Sequence, residues 1–395
     1  MSFKNLQTDI IKKKLCMMCG MCSVVCPNNS ILLKKDKPTR NNKHQCKACS
    51  RCTLVCPGYD TGTSVAEKRL FGRNRTEEER WLGIIRNTVG GHATDQTVYE
   101  KSGSGGSVSS LLMASFDFFK VDCVIVAGRD SKMKWIASPQ ACFDRNSVVN
   151  YAQATYQMFP YLTILEKLFT ENPLLKIGIV GLPCHVQAIR KAQNGLMFSE
   201  RFRKNIKIVI EIACSTNTHS EGTRSLICDV AKIDLSEVES VFYREGTYPG
   251  NFVIHKKNCE KIIIPFWQAV RHFAKYKSFR CLSCPDWVSG LADISVWDGD
   301  PNVFEASKMN GSNFIKHSSI AVRTETGERL LDWAIREKII KAWPKTNNED
   351  NLGLIRKKNN RARFEQANCI IPIGPIPNYL ETMKIVSDES LIQIN

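Results

Sequence analysis

Residues 16–27 read CMMCGMCSVVCP and residues 46–57 read CKACSRCTLVCP. Each holds four cysteines at the spacing C-x2-C-x2-C-x3-C-P: Cys16, Cys19, Cys22 and Cys26 before Pro27, then Cys46, Cys49, Cys52 and Cys56 before Pro57. This is the bacterial ferredoxin spacing for [4Fe-4S] clusters. Three thiolates on one tight turn reach three corners of a cubane, and the proline carries the fourth cysteine away to the neighbouring cluster. One cluster is therefore expected on Cys16, Cys19, Cys22 and Cys56, the other on Cys46, Cys49, Cys52 and Cys26. The intervening ILLKKDKPTRN suits a hairpin of two extended pieces around a charged turn. Structural zinc also uses C-x2-C pairs, but leaves the third cysteine and the fourth before proline unexplained in both runs.

The rest of the composition fits an ordinary globular protein. The chain has 395 residues, 43% hydrophobic and 24% charged, enough for two or three domains and a sizeable core. No apolar run approaches the length of a membrane span, and the start MSFKNLQTDIIKKKL has no signal-peptide pattern, so a cytoplasmic protein is expected. An odd count of 17 Cys argues for metal or redox chemistry over a disulfide framework. Net charge is +16, and half of that excess lies in residues 1–60. No recognised nucleic-acid motif accompanies it, and anionic clusters bound there would neutralise part of it. The basic face (Lys12, Lys13, Lys14, Lys34, Lys35, Lys37) suits an acidic partner protein.

Residues 63–86 are polar and charged and read as a linker ending in a short amphipathic helix. Beyond them β-like and helix-like stretches alternate, which predicts an α/β domain over 87–345. Candidate strands are 121–128, 174–181, 206–214 and 292–298. Candidate helices are 107–119, 148–169 (broken near Pro160), 185–193, 219–231, 266–276 and 327–340. The last fifty residues, 346–395, read as a Pro-containing extension that wraps the surface.

Four places in this domain carry chemical information. Ser102, Gly103, Ser104, Gly105, Gly106 and Ser107 open an apolar helical run, where backbone N–H groups at a helix start attract phosphate; a flexible turn is the alternative. Cys184, in GLPCH (181–185), lies at the carboxyl end of a predicted strand, where open α/β sheets place ligands. Cys214 ends the next strand, and Cys281 and Cys284 form a C-x2-C pair. Singly these thiols read as buried apolar residues or half a zinc site; together they suit a third cluster. Cys123 and Cys228 read as core residues, and His92, His185 and His255 as structural ones. Cys142, Cys259 and Cys369 have no partner spacing.

The motifs SGG (104–106), GLPCHVQAI (181–189), YREGTYPG (243–250) and CLSCPDWVSGLADIS (281–295) resemble the β-subunit family of coenzyme F420 hydrogenase and dehydrogenase. The resemblance covers most of residues 87–340. It implies FAD and one [4Fe-4S] cluster in the α/β domain, with Cys184, Cys214, Cys281 and Cys284 as cluster ligands and the Gly-rich loop 102–107 against the flavin. With the ferredoxin run in front, the arrangement resembles the F420H2-oxidising input subunits of membrane dehydrogenase complexes.

The expected architecture is an α+β ferredoxin-like N-terminal module (1–62), a linker (63–86), an α/β flavin-binding domain (87–345) and a C-terminal extension (346–395). The expected function is oxidation of reduced coenzyme F420 by hydride transfer to FAD, with single electrons passing through three [4Fe-4S] clusters to a partner. Reverse flow from ferredoxin or hydrogenase to F420, and an F420-independent electron-transfer subunit, are the alternatives. Arg129, Arg244 and Lys101 are candidates to meet the acidic groups of F420.

Overall fold

The computed structural model of the chain describes residues 3–34, 37–47, 49–79, 81–195, 199–282, 284, 286–299 and 315–345, with the backbone alone at Phe279 and Leu282. The expected extension 346–395, with Cys369, lies outside them, as does Lys35.

In the first sixty residues, two short helices, Met21–Val24 and Arg51–Leu54, each carry the third cysteine of a run. Each is entered through a left-handed residue directly after the second cysteine, Gly20 (φ 86°) and Ser50 (φ 62°). Between them β1 (Ile31–Lys34) and β2 (Lys37–Arg40) pair antiparallel, as the hairpin reading expects. The chain start adds a helical segment the sequence pattern does not announce, Phe3–Leu6 continuing through Gln7–Ile11. It buries Phe3, Leu6 and Ile10 against Leu15, Ile31, Cys22 and Cys52.

The segment 63–86 corrects its prediction. Its helix, Thr63–Phe71, stands at the start and not at the end. Ala66 and Glu67 on that helix are buried, and the Glu67 carboxylate accepts from the Arg75 backbone N–H (3.0 Å) and from its guanidinium. Arg75 Nη2 in turn donates to Ser289 O at 2.8 Å. The segment is thereby tied to the α/β domain and is no free tether.

That domain is built on β3 (Asn87–Ala93), β4 (Cys123–Arg129), β5 (Ala137–Cys142), β6 (Ile177–Gly181) and β7 (Ile206–Ile212), then β8 (Val238–Glu245), β9 (Asn251–Lys256) and β10 (Lys261–Ile264), and finally β11 (Ile294–Asp298), β12 (Ser318–Val322) and β13 (Ile340–Pro344). Eight of these form one sheet in the order β13-β3-β12-β11-β7-β6-β4-β5, and β8–β10 form a separate antiparallel sheet. The centre, β4-β6-β7-β11, is parallel. Alternation sends Cys123, Ile125, Ile179 and Val209 to one face, and Val124, Val126, Ile208 and Ile210 to the other. Helix Pro183–Asn194 covers the first face; Ser107–Phe118 and Glu325–Arg336 cover the second. Such double coverage is what a parallel sheet requires.

Strands β4, β6, β7 and β11 and the helices Ser107–Phe118 and Pro183–Asn194 lie where the sequence pattern placed them. The predicted helix 148–169 is more than broken. Helix Arg145–Asn150 stops, residues 151–160 carry no helix, and a turn at Tyr161–Thr163 leads into Ile164–Glu171. The non-helical stretch is held by bonds to distant backbone: Gln157 Oε1 accepts from Ala137 N (2.9 Å) and Tyr156 O accepts from Thr218 N (3.2 Å).

The ADIS run (292–295) holds the sheet together. Asp293 accepts from Val209 N (2.8 Å) and Thr324 Oγ1 (2.8 Å) and pairs with buried Arg190 (3.2 Å). Ser295 Oγ donates to buried Glu211 and accepts from Arg323 Nε, each at 2.7 Å. Buried charges of this kind persist where each is paired and hydrogen-bonded.

The cysteine-rich segment and the α/β domain share one core. Met17, Met21, Val24, Val25 and Val55 pack with Tyr161, Leu162, Leu165 and Ile189. Leu162 N donates to Cys19 O at 2.9 Å, Arg201 Nη2 to Val24 O at 3.0 Å and Lys191 Nζ to Asp60 O at 2.7 Å. Gly20 is required here: a β-carbon on it would lie 2.8 Å from Thr163 Cγ2, in a backbone conformation that already disfavours side chains.

Candidate cluster and cofactor sites

The eight N-terminal cysteines group as the spacing predicts. Cys22 is raised far above an ordinary thiol by burial, then by Cys19, Cys16 and Cys56 beside it. Cys19 is raised by burial and next by Cys56, and burial pushes Cys16 up to about 12. In the second group Cys26, Cys46, Cys49 and Cys52 line one pocket with Pro27, Ser30 and Ile31. Burial, then Cys46, Cys26 and Cys49, pushes Cys52 up to about 12. Each run has thus lent its fourth cysteine, Cys56 or Cys26, to the other group.

Cys184, Cys214, Cys281 and Cys284 line another pocket, with Met17, His185, Gln187 and Asp286. The local reasons are legible. Pro183 opens the helix after β6, placing Cys184 in its first turn. Cys214 follows β7 and donates its N–H to Trp287 O at 2.9 Å. Asp286 accepts from Gln187 Nε2 at 2.9 Å, joining the C-x2-C segment to the helix of Cys184. Burial raises Cys184 far above an ordinary thiol, helped by Cys214 and then by Cys19 of the N-terminal group. His185 is not a ligand of this arrangement: its ring stacks on Tyr161 (4.8 Å), its Nδ1 accepts from Leu182 N (3.3 Å), and burial lowers it to about 3.

The donor chemistry of all three groups fits iron–sulfur clusters. Each is four thiols, and the resolved shifts come from burying thiolates against one another, a cost that bound iron offsets by holding thiols deprotonated. Among the described residues no group of three or more His, Cys, Asp or Glu is placed to hold a single metal ion. The second and third groups surround open pockets.

The Gly-rich loop sits at the same carboxyl edge of the sheet. Ala93, at the end of β3, donates to Gly105 O (2.6 Å), and Ser104 Oγ donates to His317 O (2.9 Å) just before β12. Gly105 and Gly106 are left-handed (φ 62° and 74°) and lead into helix Ser107–Phe118. A β-carbon at Gly105 would lie 2.8 Å from His317 Cα, and one at Gly103 would lie 3.2 Å from Arg244 Cδ and Nε. Ser102 O accepts from buried Lys316 Nζ at 2.8 Å, and Ser107 Oγ donates to Gly91 O at 3.1 Å. The loop is a fixed cradle and not a flexible turn.

The three basic candidates separate. Arg129 is held inside the domain, donating to Thr155 Oγ1 (2.8 Å) and lying over the Tyr243 ring, with its buried Nε left without an acceptor. Lys101 is exposed at a helix end. Arg244 is buried against the loop, donating from Nη1 to Asp298 Oδ1 (2.9 Å) and from Nε to Pro249 O (2.7 Å). The phenol of Tyr156 lies beside the guanidinium, close enough for a hydrogen bond and for the positive charge to act on it. Tyr156 is also near enough to Cys214 to be raised by it, so it stands between the loop and the third thiol group. A cradle that a β-carbon at Gly103 or Gly105 would fill fits a flavin dinucleotide held at this loop. Asp298, Tyr156 and Lys316 escape a reading of the sequence, because no motif singles them out.

Cys123 and Cys142 are buried in strands, and Cys228 packs beside the core of the small sheet. Cys259 is exposed. His92 packs by Tyr99 and Trp343, and His255 bonds Glu245 at 2.7 Å.

Comparison with known proteins places the chain. Residues 88–166 match the N-terminal part, and residues 174–348 the C-terminal part, of the family described as coenzyme F420 hydrogenase/dehydrogenase, beta subunit. The chain belongs to the coenzyme F420 hydrogenase/dehydrogenase β-subunit family, an electron-transfer oxidoreductase family. It is 27% identical over 278 residues to the β-subunit of the coenzyme F420 hydrogenase of Methanococcus voltae, covering 70% of this chain and 90% of that one. It is 23% identical over 363 residues to one of the subunits of the F(420)H(2) dehydrogenase of Methanosarcina mazei, covering 91% and 94%. Its fold is similar to a chain of the F420-reducing [NiFe] hydrogenase complex from Methanosarcina barkeri, at TM-score 0.58 and 22% identity, over 75% of this chain and 98% of that one.

Proposed function

We propose that this chain is a flavin iron–sulfur oxidoreductase that oxidises reduced coenzyme F420 by hydride transfer to FAD and delivers single electrons through three [4Fe-4S] clusters to a partner. The observation that carries the reading is the continuity of the thiol groups. Cys184 of the third group is near enough to Cys19 to be raised by it, Cys22 in the same way by Cys52, and Cys49 reaches the surface. When bound, FAD supplies hydride chemistry and the clusters one-electron steps.

The protein's own part is positional. The loop 102–107 and Arg244 hold the flavin at the carboxyl edge of the sheet, and Cys184, Cys214, Cys281 and Cys284 hold a cluster at that same edge. Cys16, Cys19, Cys22 and Cys56 hold the inner ferredoxin cluster; Cys26, Cys46, Cys49 and Cys52 hold the outer one. The core shared by Met17, Met21, Leu162 and Leu165 fixes these sites relative to one another, so transfer needs no docking step within the chain.

Electrons leave past Cys49. Lys12, Lys13, Lys14, Lys34, Lys37, Lys43 and Lys47 are all exposed on the cysteine-rich segment, which suits an acidic acceptor protein or membrane dehydrogenase complex. Among the described residues no helix is long and apolar enough to cross a membrane. In this reading the protein itself works in the cytoplasm and meets a membrane through such a partner complex. The relatives named as hydrogenase subunits favour a second reading, in which the same residues serve F420 reduction.

Anaerobic mixing of cluster-reconstituted protein with FAD, reduced F420 and a one-electron dye tests the reading. The deazaflavin absorbance should return to its oxidised form only when FAD is present. Its failure to return, with flavin and clusters both bound, would move the substrate to another hydride donor.

A further inference from the structure

We propose that two cations lent by the α/β domain set the order of potentials in the relay: Arg280 raises the third and inner clusters together, and Lys191 raises the inner cluster alone, which draws the electron toward the ferredoxin end. This rests on the reading that the three thiol groups hold [4Fe-4S] clusters.

Arg280 stands directly before Cys281 and is 3% exposed. It lines the pocket that Cys184, Cys214, Cys281 and Cys284 share with Met17, the residue after Cys16. The backbone around it is fixed: Ser278 N donates to Asn217 O at 3.1 Å, and Cys281 N donates to Ser278 O at 2.9 Å. Arg280 also reaches toward the inner group. Burial raises the Cys56 thiol, and the charges of Lys191 and Arg280 oppose that rise. One buried cation therefore bears on both groups.

Lys191 approaches the inner group from helix Pro183–Asn194. Its Nζ donates to Asp60 O at 2.7 Å, just past Cys56, and its stem lies where a β-carbon on Gly62 would meet Lys191 Cγ at 2.8 Å. Its ion-pair partner, the Asp60 carboxylate, is 70% exposed, whereas the lysine side chain is 11% exposed. Water screens that anion more than the cation. The opposing charge on the wall of the third pocket is Asp286, which is buried and lies 4.0 Å from Cys284 Sγ.

These positions give a direction. Transfer between the two clusters moves one electron, with no bond made or broken and no proton released. Four thiolates already make a cubane anionic, so a buried site resists the added electron and a nearby cation offsets that resistance. Arg280 steadies the electron on either cluster. Asp286 beside the third cluster and Lys191 beside the inner one then tilt the step inward.

The test is EPR-monitored redox potentiometry on cluster-reconstituted full-length protein: wild type, Arg280→Gln, Arg280→Lys and Lys191→Met. The outer and third signals are assigned by Cys49→Ser and Cys184→Ser. Arg280→Gln should lower the reduced-to-oxidised ratio of both the third and inner clusters by about 10-fold at a fixed applied potential, which is about 59 mV for one electron, and leave the outer cluster unchanged. Lys191→Met should shift the inner cluster alone by a similar amount. Arg280→Lys keeps the charge and should stay near the wild type. An arginine that only braced the fold would leave the potentials where they are. Unchanged potentials in Arg280→Gln with its iron intact, a common shift of all three clusters, or a shift in Arg280→Lys as large as in Arg280→Gln would each overturn the proposal. Should Arg280→Gln fail to hold iron, Lys191→Met still decides, because an unmoved inner potential there would overturn it as well. A wild type that assembles no third cluster would overturn the functional reading beneath, which is a separate result.

Discussion

Of the group Cys16, Cys19, Cys22 and Cys56, Cys19 shares a core with Tyr161 and Leu162 and lies near Cys184 of the third thiol group, whereas Cys26, Cys46, Cys49 and Cys52 line a pocket with Cys49 exposed. The two runs that supply them share one spacing, a short helix on the third cysteine and a left-handed residue after the second. At that position the inner run has Gly20, pressed on Thr163, and the outer run has Ser50. The same local sequence therefore makes two differently buried sites, and the difference comes from what packs on them; in the proposed relay the first would receive electrons from within the chain and the second would release them outside it.

Cysteine variants should break this asymmetry most strongly. Cys19→Ser removes an inner ligand and should cut electron delivery to an external protein acceptor by about 10-fold or more, while reduction of the flavin by substrate survives. Cys49→Ser should block delivery to the same acceptor yet leave the inner cluster reducible. Rapid-freeze EPR after mixing with substrate separates the two. Loss of flavin reduction in folded Cys19→Ser protein would mean the order is wrong.

Gly20→Ala and Ser50→Gly sharpen the comparison through stability. The first adds a β-carbon at positive φ against Thr163 and should cost about 1–3 kcal/mol in chemical denaturation. The second relieves the same backbone conformation at the outer site and should be neutral or mildly stabilising.

Charge should matter only at the outer end. Replacing Lys34, Lys37, Lys43 and Lys47 by Glu should slow transfer to an acidic acceptor by about 10-fold at low salt, with the difference shrinking as salt rises. The rate of flavin reduction should be unaffected.

The smallest effect concerns the flavin end. Burial, and next the charge of Arg244, lowers the Lys316 ammonium from 10.5 to about 8. A lysine lowered in this way costs the fold stability below pH 8, and the cost is relieved as pH rises from 8 toward 10.5. A bound oxyanion favours the charged form, so FAD affinity should be highest below pH 8 and fall above it. Lys316→Met should flatten that profile in a fluorescence titration.

The eight N-terminal cysteines were legible because their spacing is the geometry of the site. The parallel strands β4, β6, β7 and β11 were legible as apolar runs ending at turns. β3 was hidden by its two adjacent glycines, Gly90 and Gly91, of which the first makes room for Trp343. β5 carries Pro139 and survives because it is an edge strand. β8 and β9 show visible alternation, and their small sheet could have been found. The seat of the cysteine-rich segment on Tyr161–Leu165, and the choice of Arg244 over Arg129, depend on contacts between residues more than a hundred positions apart. No local pattern records those.

The most direct test of the inner and outer assignment is iron analysis and EPR on the wild type and on Cys56→Ser. The wild type should hold about twelve iron atoms, four per cubane. Cys56→Ser should lose or alter the inner signal, the one that persists in Cys49→Ser, and keep the outer one. Loss of the outer signal with the inner one intact would contradict the crossed arrangement on which this account of the relay stands.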